Sequence, residues 1–455
     1  MSGARSVAAL AALALLTQCS SSVDRAEPST AEDRACDLAA TSGGRVTLWH
    51  AVHPAYQGQL DLALARASAA AGVEVEAVHI DGGTDQVIRR WREAAPEDRP
   101  DLVLAPDDRT ALLAGSGLTV PVGSCLDDGP PLVPAIGEAF RVDGALQAVP
   151  FAVSSPVLVY DRRDHVAAGL DPDDPPATLS ELRSTCERIV DRGAATTCLV
   201  LDAGADGGGS WFVEQWHAQL GLAVLEPDNG RGDEPPTEVN WDDDTAVEHL
   251  ELLQDMLDDG LAVDVGTNTG NLDDLLRLVH PRRPASMTIH TSASLGGVVE
   301  ALSQGLYPEV ELGVGPLPGP GRGALAAGTA VWITRGGAGA DAWEVAAALA
   351  SPPVQARWAA ATGYVPVTAA ATEVPVLRDA WQREPGLRVA YDQLAAVEPD
   401  PLRLAPLAGP RNELREVLSG AVGDIFRGED ARTRLATAAD QAEDLLRSYA
   451  ETRGG

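Results

Sequence analysis

Residues 149–160 read VPFAVSSPVLVY, an apolar run broken in its middle by the adjacent hydroxyls Ser154 and Ser155. Apolar chain on both sides of a polar pair suits a strand that leaves one core, crosses a cleft and enters a second. Such a segment demands two cores, and 455 residues are enough for two or three.

The first third of the chain alternates strand and helix signals. Val46 to Trp49 is a short apolar strand, and a helix is expected near Gln59 to Ala71, stopped by Gly72. Val73 to Val78 alternates as a second strand, and Thr84 is placed to cap a helix carrying Val87, Ile88 and Trp91 on one face. Asp101 to Leu104 gives a third strand, after which Asp107 or Asp108 is expected to cap a helix closed by Gly115 or Gly117. Alternation of this kind predicts an α/β fold with a parallel, doubly wound sheet. Ligands of such sheets sit outside the carboxyl ends of the strands, where His50, Thr84 and Asp107 fall. Further on, Thr178-Leu179-Ser180-Glu181 is a capping box. Val247, Leu250, Leu253 and Leu257 mark one amphipathic helix, and Leu435, Ala439, Ala442, Leu446 and Tyr449 another. The triplet Asp242-Asp243-Asp244 suits the N-terminal dipole of the former.

A formal charge of −33, with every basic residue an arginine, makes nucleic acid a poor partner. His50 and His53 have metal-like spacing without a third ligand, and no metal is expected. The N-terminus carries Arg5, an apolar run from Val7 to Leu16 and then Thr17-Gln18-Cys19. That run is too short to span a bilayer and fits a signal peptide over 1–18, with Cys19 as the lipid-bearing residue of a bacterial lipobox. Residues 19–42 then read as a polar tether to the outer face of the membrane. Four cysteines remain, allowing three pairings. A helix through Leu179, Leu182, Cys186, Ile189 and Val190 folding back on the strand Thr197 to Leu201 favours Cys186–Cys198, leaving Cys36 with Cys125.

Several stretches in order resemble the solute-binding proteins of ABC importers. They are the crossover segment, PDLVLAPDDRTALLAGSGLTVPV (100–122), SMTIHTSASLG (286–296), GVGPLPGPGRGALAAGTAVWITRG (313–336), SPPVQARWAAATGYVPVTAAA (351–371) and FRGEDARTRLATAADQAEDLL (426–446). The resemblance implies a periplasmic-binding-protein-like fold, two doubly wound lobes joined by a three-segment hinge. Residues 43–150 and 290–328 would form lobe 1, and 151–289 and 329–455 lobe 2. TLWHA (47–51), SSPVLVYD (154–161), AGLDPDDPP (168–176) and NGR (229–231) look most like the branch that binds glycerol 3-phosphate, glycerophosphodiesters and sugars.

What the resemblance implies for the site is a ligand set of Asp107, Ser154, Trp211, Thr291 or Ser292, Gly328 and Tyr364. Two positions depart from the branch. Thr84 stands where it has an aromatic hydroxyl, and its phosphate-holding arginine falls on Leu407, with Arg403 and Arg411 near enough to substitute. Asp107 has a second expected role as a helix cap, Trp211 as core packing, and Arg411 as a member of a surface ion pair. The implied protein is a monomeric, non-enzymatic receptor, using no cofactor, that hands a sugar, polyol or glycerophosphodiester to an ABC permease. A hydrolase of glycosides or phosphodiesters, and a sensor without a transport role, are the alternatives.

Overall fold

The computed structural model describes residues 44–123, 131–203, 209–266, 273–280, 282 and 284–454. Cys19, Cys36 and Cys125, with the expected leader and tether, lie outside the described residues.

Two five-stranded sheets organise the described residues. The first has the order Glu74–His79, Arg45–His50, Leu102–Pro106, Ala327–Ile333, Val149–Ser154. Its centre is Leu102–Pro106, whose LVLA is wholly buried, as a strand covered on both faces requires. Its edge is Glu74–His79, where Glu74 and Glu76 point to water and discourage further pairing. The second sheet has the order Ala262–Asp264, Thr197–Leu201, Ala285–Thr291, Pro156–Asp161, Leu312–Gly315.

The alternation predicted parallel sheets, but both sheets are mixed. Arg45–His50 runs parallel to both its neighbours. Ala327–Ile333 is antiparallel to Leu102–Pro106 and to Val149–Ser154, because it arrives from the second sheet and enters the first from the opposite end. The expected crossover is present: Val149–Ser154 closes the first sheet, Ser155 intervenes, and Pro156–Asp161 opens the second.

Several expected lobe boundaries are corrected: residues 151–154 and 329–333, assigned to lobe 2, belong to strands of the first sheet, and His290 and Thr291, assigned to lobe 1, end a strand of the second. Leu312–Gly315, assigned to lobe 1, pairs with Pro156–Asp161 in the second sheet. The helices Gly339–Leu349, Pro352–Thr362, Pro375–Arg383 and Val389–Ala395, assigned to lobe 2, pack on the first sheet. The cause is apolar: Val345, Leu349, Trp358, Leu377 and Leu394 join the core built on Val46, Leu48 and Leu104. Only Arg411–Phe426 and Ala431–Gly454 return to the second core, through Leu414, Leu418, Leu435 and Leu446.

Local signals explain most helix ends. Gly72 takes the left-handed conformation that closes Pro54–Ala71. Thr178 and Glu181 form the capping box of Leu179–Asp191, and Asp243 caps Asp244–Asp258 by accepting from the Ala246 amide. Thr84 does not cap. Gly82 and Gly83 both take positive φ and begin the helix Gly83–Glu93 one step earlier, leaving Thr84 inside its first turn. Asp107 and Asp108 do not cap either; no side chain caps the short turns after Pro106. Cys186 and Cys198 are bonded, their Cα atoms 5.0 Å apart, where the helix folds back on its strand. No helix among the described residues is long and apolar enough to cross a membrane.

Candidate functional site

Where the first sheet hands the chain to the second, a cavity of about 390 Å³ opens. Ser154, Trp211 and Tyr364, expected from sequence, all line it, with Thr291, Tyr56 and Arg415. Ser154 ends the last strand of the first sheet and Thr291 the central strand of the second, so the crossover brings them together. The Thr291 hydroxyl donates to Ser154 Oγ at 3.0 Å. Tyr364 follows the left-handed Gly363. Its ring stacks at 5.3 Å on Trp358 and meets Tyr56 edge-on at 5.9 Å. Burial raises the Tyr364 phenol well above its ordinary range, with Tyr56 adding to the effect.

Trp211 lies in the first turn of Gly209–Leu220. A Cβ on Gly209 would fall 2.3 Å from the Ala203 carbonyl oxygen and 3.0 Å from Ser419, so only glycine lets this helix approach Arg411–Phe426. The Ser210 amide donates to Ser419 Oγ at 2.9 Å and fixes that approach.

The remaining expected residues stand elsewhere. Thr84 is half-buried on its own helix and lines no part of the cavity. Ser292 is fully buried, and its Oγ accepts from the Ser155 amide at 3.4 Å; its neighbour Thr291 holds the wall position. Gly328 lies one residue from the wall residue Thr329, and its amide donates to Asp107 Oδ1 at 2.8 Å. Arg403 donates to the Ala218 and Gln219 carbonyl oxygens at 3.5 and 3.2 Å, and Leu407 is buried.

Asp107 and Arg411 meet each other and do not line the cavity. Arg411 Nη1 is 2.7 Å from Asp107 Oδ2 and Nη2 is 3.4 Å from Glu214 Oε2. This pair is buried, at 4% and 6% side-chain exposure, which corrects the expected surface ion pair. Burial alone would lower the Arg411 pKa, but Glu214, Asp107 and Asp108 outweigh it and raise it. Asp108 is pushed up, first by burial and then by the charge of Asp107.

Arg415 was missed from sequence. It lies one turn beyond Arg411 on the same helix face, and that i, i+4 spacing was the available signal. Its Nε donates to Ser210 Oγ at 3.2 Å, and its Nη1 is 3.5 Å from Asp108 Oδ2. Unlike Arg411 it reaches the cavity wall and remains 20% exposed.

Also missed were Asp274, His290 and Ser294, which line the same cavity in hydrogen-bonded series. His290 Nδ1 is 2.7 Å from Asp274 Oδ2, and His290 Nε2 is 2.9 Å from Ser294 Oγ. The Thr288 hydroxyl also donates to Asp274 Oδ2, at 2.9 Å. Burial works to raise the Asp274 pKa; the His290 hydrogen bond and the Thr288 hydroxyl prevail and hold it below the ordinary carboxylate range. The four-residue step from His290 to Ser294 was visible in sequence, but nothing marked Asp274 as their partner. No cluster of three or more metal-ligating side chains occurs among the described residues.

The chain is similar in sequence to the sn-glycerol-3-phosphate-binding periplasmic protein UgpB of Pectobacterium atrosepticum, 28% identical over 321 residues covering 68% of each chain. UgpB of Salmonella typhimurium is likewise 28% identical, over 67% of this chain and 68% of its own. In structure it is similar to UgpB of Mycobacterium tuberculosis, solved in complex with glycerophosphocholine, with a TM-score of 0.72, 19% identity and coverage of 89% and 99% of the two chains. The GacH receptor of Streptomyces glaucescens gives a TM-score of 0.71 at 19% identity, with 89% and 98% covered. Those likenesses show the fold expected from sequence, that of the periplasmic solute-binding proteins. The family described as bacterial extracellular solute-binding protein matches residues 63–389, and this chain belongs to it.

Proposed function

We propose that this protein is the extracytoplasmic receptor of an ABC importer and that it takes a carbohydrate or a glycerol-phosphate or glycerophosphodiester-type solute into the cavity between its two sheets. One observation carries the reading. The cavity joins aromatic faces (Tyr56, Trp211, Tyr364), hydroxyls (Ser154, Thr291) and one arginine, Arg415, on a single wall system. Aromatic faces stack on sugar rings or glycerol carbons, and hydroxyls exchange hydrogen bonds with a polyol. Arg415 supplies charge for a phosphodiester, in place of the arginine that the sequence led one to seek at Arg411. The names of the related proteins support the same ligand classes.

The two lobes close on the solute by rotation, and the closed form docks on permease subunits as a monomer. Cys19 holds the protein at the outer face of the membrane by a lipid. The support for this anchor is the apolar run ending in Leu16-Thr17-Gln18-Cys19. No catalysis is needed for this role.

A thermal-shift panel of sugars, polyols and glycerophosphodiesters tests the reading. A ligand at 100 times its Kd should add about 2.7 kcal/mol to the stability of the folded state. Trp211→Ala should lose that response, and Arg415→Gln should lose it for phosphodiesters while keeping it for neutral polyols. A panel that leaves the melting temperature unmoved throughout overturns the proposal.

A further inference from the structure

We propose that Ser294 is an activated nucleophile, with His290 as its base and Asp274 as the group that orients the base, and that the cavity supports hydrolysis of small carboxylic esters. The proposal shares the cavity with the receptor reading but does not rest on it.

Three features point this way. The connectivity is directional: with Nδ1–H donated to Asp274 at 2.7 Å, His290 Nε2 is left to accept the Ser294 hydroxyl at 2.9 Å. Asp274 is ionised and held in place, since Thr288 Oγ1 donates to the same oxygen and itself stands on the central strand of the second sheet. All three groups line the cavity. The backbone reinforces the geometry. His290 is near the end of the rigid strand Ala285–Thr291, and Ser294 stands just before the helix Leu295–Ser303. The intervening turn is pinned by the Thr291 hydroxyl, which accepts from the Ala293 amide at 3.3 Å.

In the first step the Ser294 Oγ–H proton passes to His290 Nε2 as Oγ bonds to the ester carbonyl carbon. The bond from that carbon to the alkoxy oxygen then breaks, and the departing alcohol takes the proton from His290. Water attacks the acyl-serine next, giving its proton to His290. The carbon–Oγ bond breaks, the carboxylic acid leaves, and Ser294 Oγ recovers the proton. No redox partner is involved, and water is the only co-reactant.

The test treats the purified chain with a fluorophosphonate probe and reads intact mass and the modified peptide. One adduct at Ser294 is expected, absent from Ser294→Ala. His290→Gln should slow labelling by about 100-fold or more. Asp274→Asn, which leaves the imidazole in place with the wrong tautomer preferred, should also slow it strongly. It serves as the second variant if His290→Gln does not fold. Folded wild-type protein that takes no label, or takes it at another residue, overturns the proposal, as does a labelling rate unchanged in both variants. A protein that answers the polyol panel yet takes no label removes only the nucleophile. One that is labelled yet ignores the panel removes only the receptor reading.

Discussion

Arg411 places its Nη1 2.7 Å from Asp107 Oδ2 across 304 positions of chain, tying the loop after the central strand of the first sheet to a helix of the second core. Both side chains are out of water, so removing the arginine leaves Asp107 as a buried charge without this partner and takes from Glu214 one of the two arginines beside it. Arg411→Met should therefore cost about 3–5 kcal/mol. Urea denaturation at neutral pH checks it, and a loss below 1 kcal/mol would show that water reaches the pair.

Gly328 sits at φ +151°, where a Cβ would lie 2.2 Å from the Ala152 carbonyl oxygen and 2.8 Å from Val153 Cα. Both obstacles are backbone of a paired strand and cannot swing aside. Gly328→Ala should destabilise by roughly 2 kcal/mol or more and shift the adjacent Thr329 wall. Denaturation together with the ligand thermal shift measures both effects, and a variant of wild-type stability would contradict this packing.

Asp164 is pushed up to about 6 from its ordinary 3.8, first by burial and then by the charge of Asp161. Its pKa is thus higher folded than unfolded, and the folded state binds the proton more readily. The ionised form weakens the fold, so this group's contribution is best below about pH 4, declines as pH rises through 6, and is flat above. Asp164→Asn should gain on the order of 1 kcal/mol at pH 8, after allowance for solvent screening, with the advantage gone at pH 4. Melting temperatures of both proteins across that range decide it, and a difference independent of pH would refute the assignment.

The Cys186–Cys198 bridge closes a loop with a sequence separation of 12. Restricting that loop in the unfolded chain is worth about 3 kcal/mol. The double variant Cys186→Ala, Cys198→Ala should lose close to that amount, and wild-type protein under reductant should lose a similar amount, both followed by denaturation.

Periodicity and punctuation carried much of the architecture. The strand signals at Val46–Trp49 and Asp101–Leu104, Gly72 as a stop and the Thr178 capping box are written in neighbouring residues, and the fold realises them nearly in place. Strand direction was not local. Ala327–Ile333 runs antiparallel because of where the chain had been before it. The site divided along the same line. Ser154 and Tyr364 lay in stretches whose resemblance to the family could be read directly, Trp211 was carried over as a single position, and the three share one cavity. Asp107 and Arg411 were each singled out, but their pairing depends on two distant segments converging. Thr84 was misplaced because the two glycines before it, both free to take positive φ, outcompete a side-chain cap. Asp274 carried no mark at all until the helix Asp273–Leu278 was laid against the strand bearing His290.

Ser155 alone separates the last strand of the first sheet from the opening strand of the second. Its carbonyl oxygen accepts from the Ser292 amide at 3.0 Å, and the proline after it has a fixed φ. Any swivel of one sheet against the other acts here on a fulcrum a single peptide wide. Ser154 and Pro156, on either side of it, are both wall residues. A few degrees of torsion at this point therefore reshape the chamber directly, with no intervening lever arm to absorb the movement.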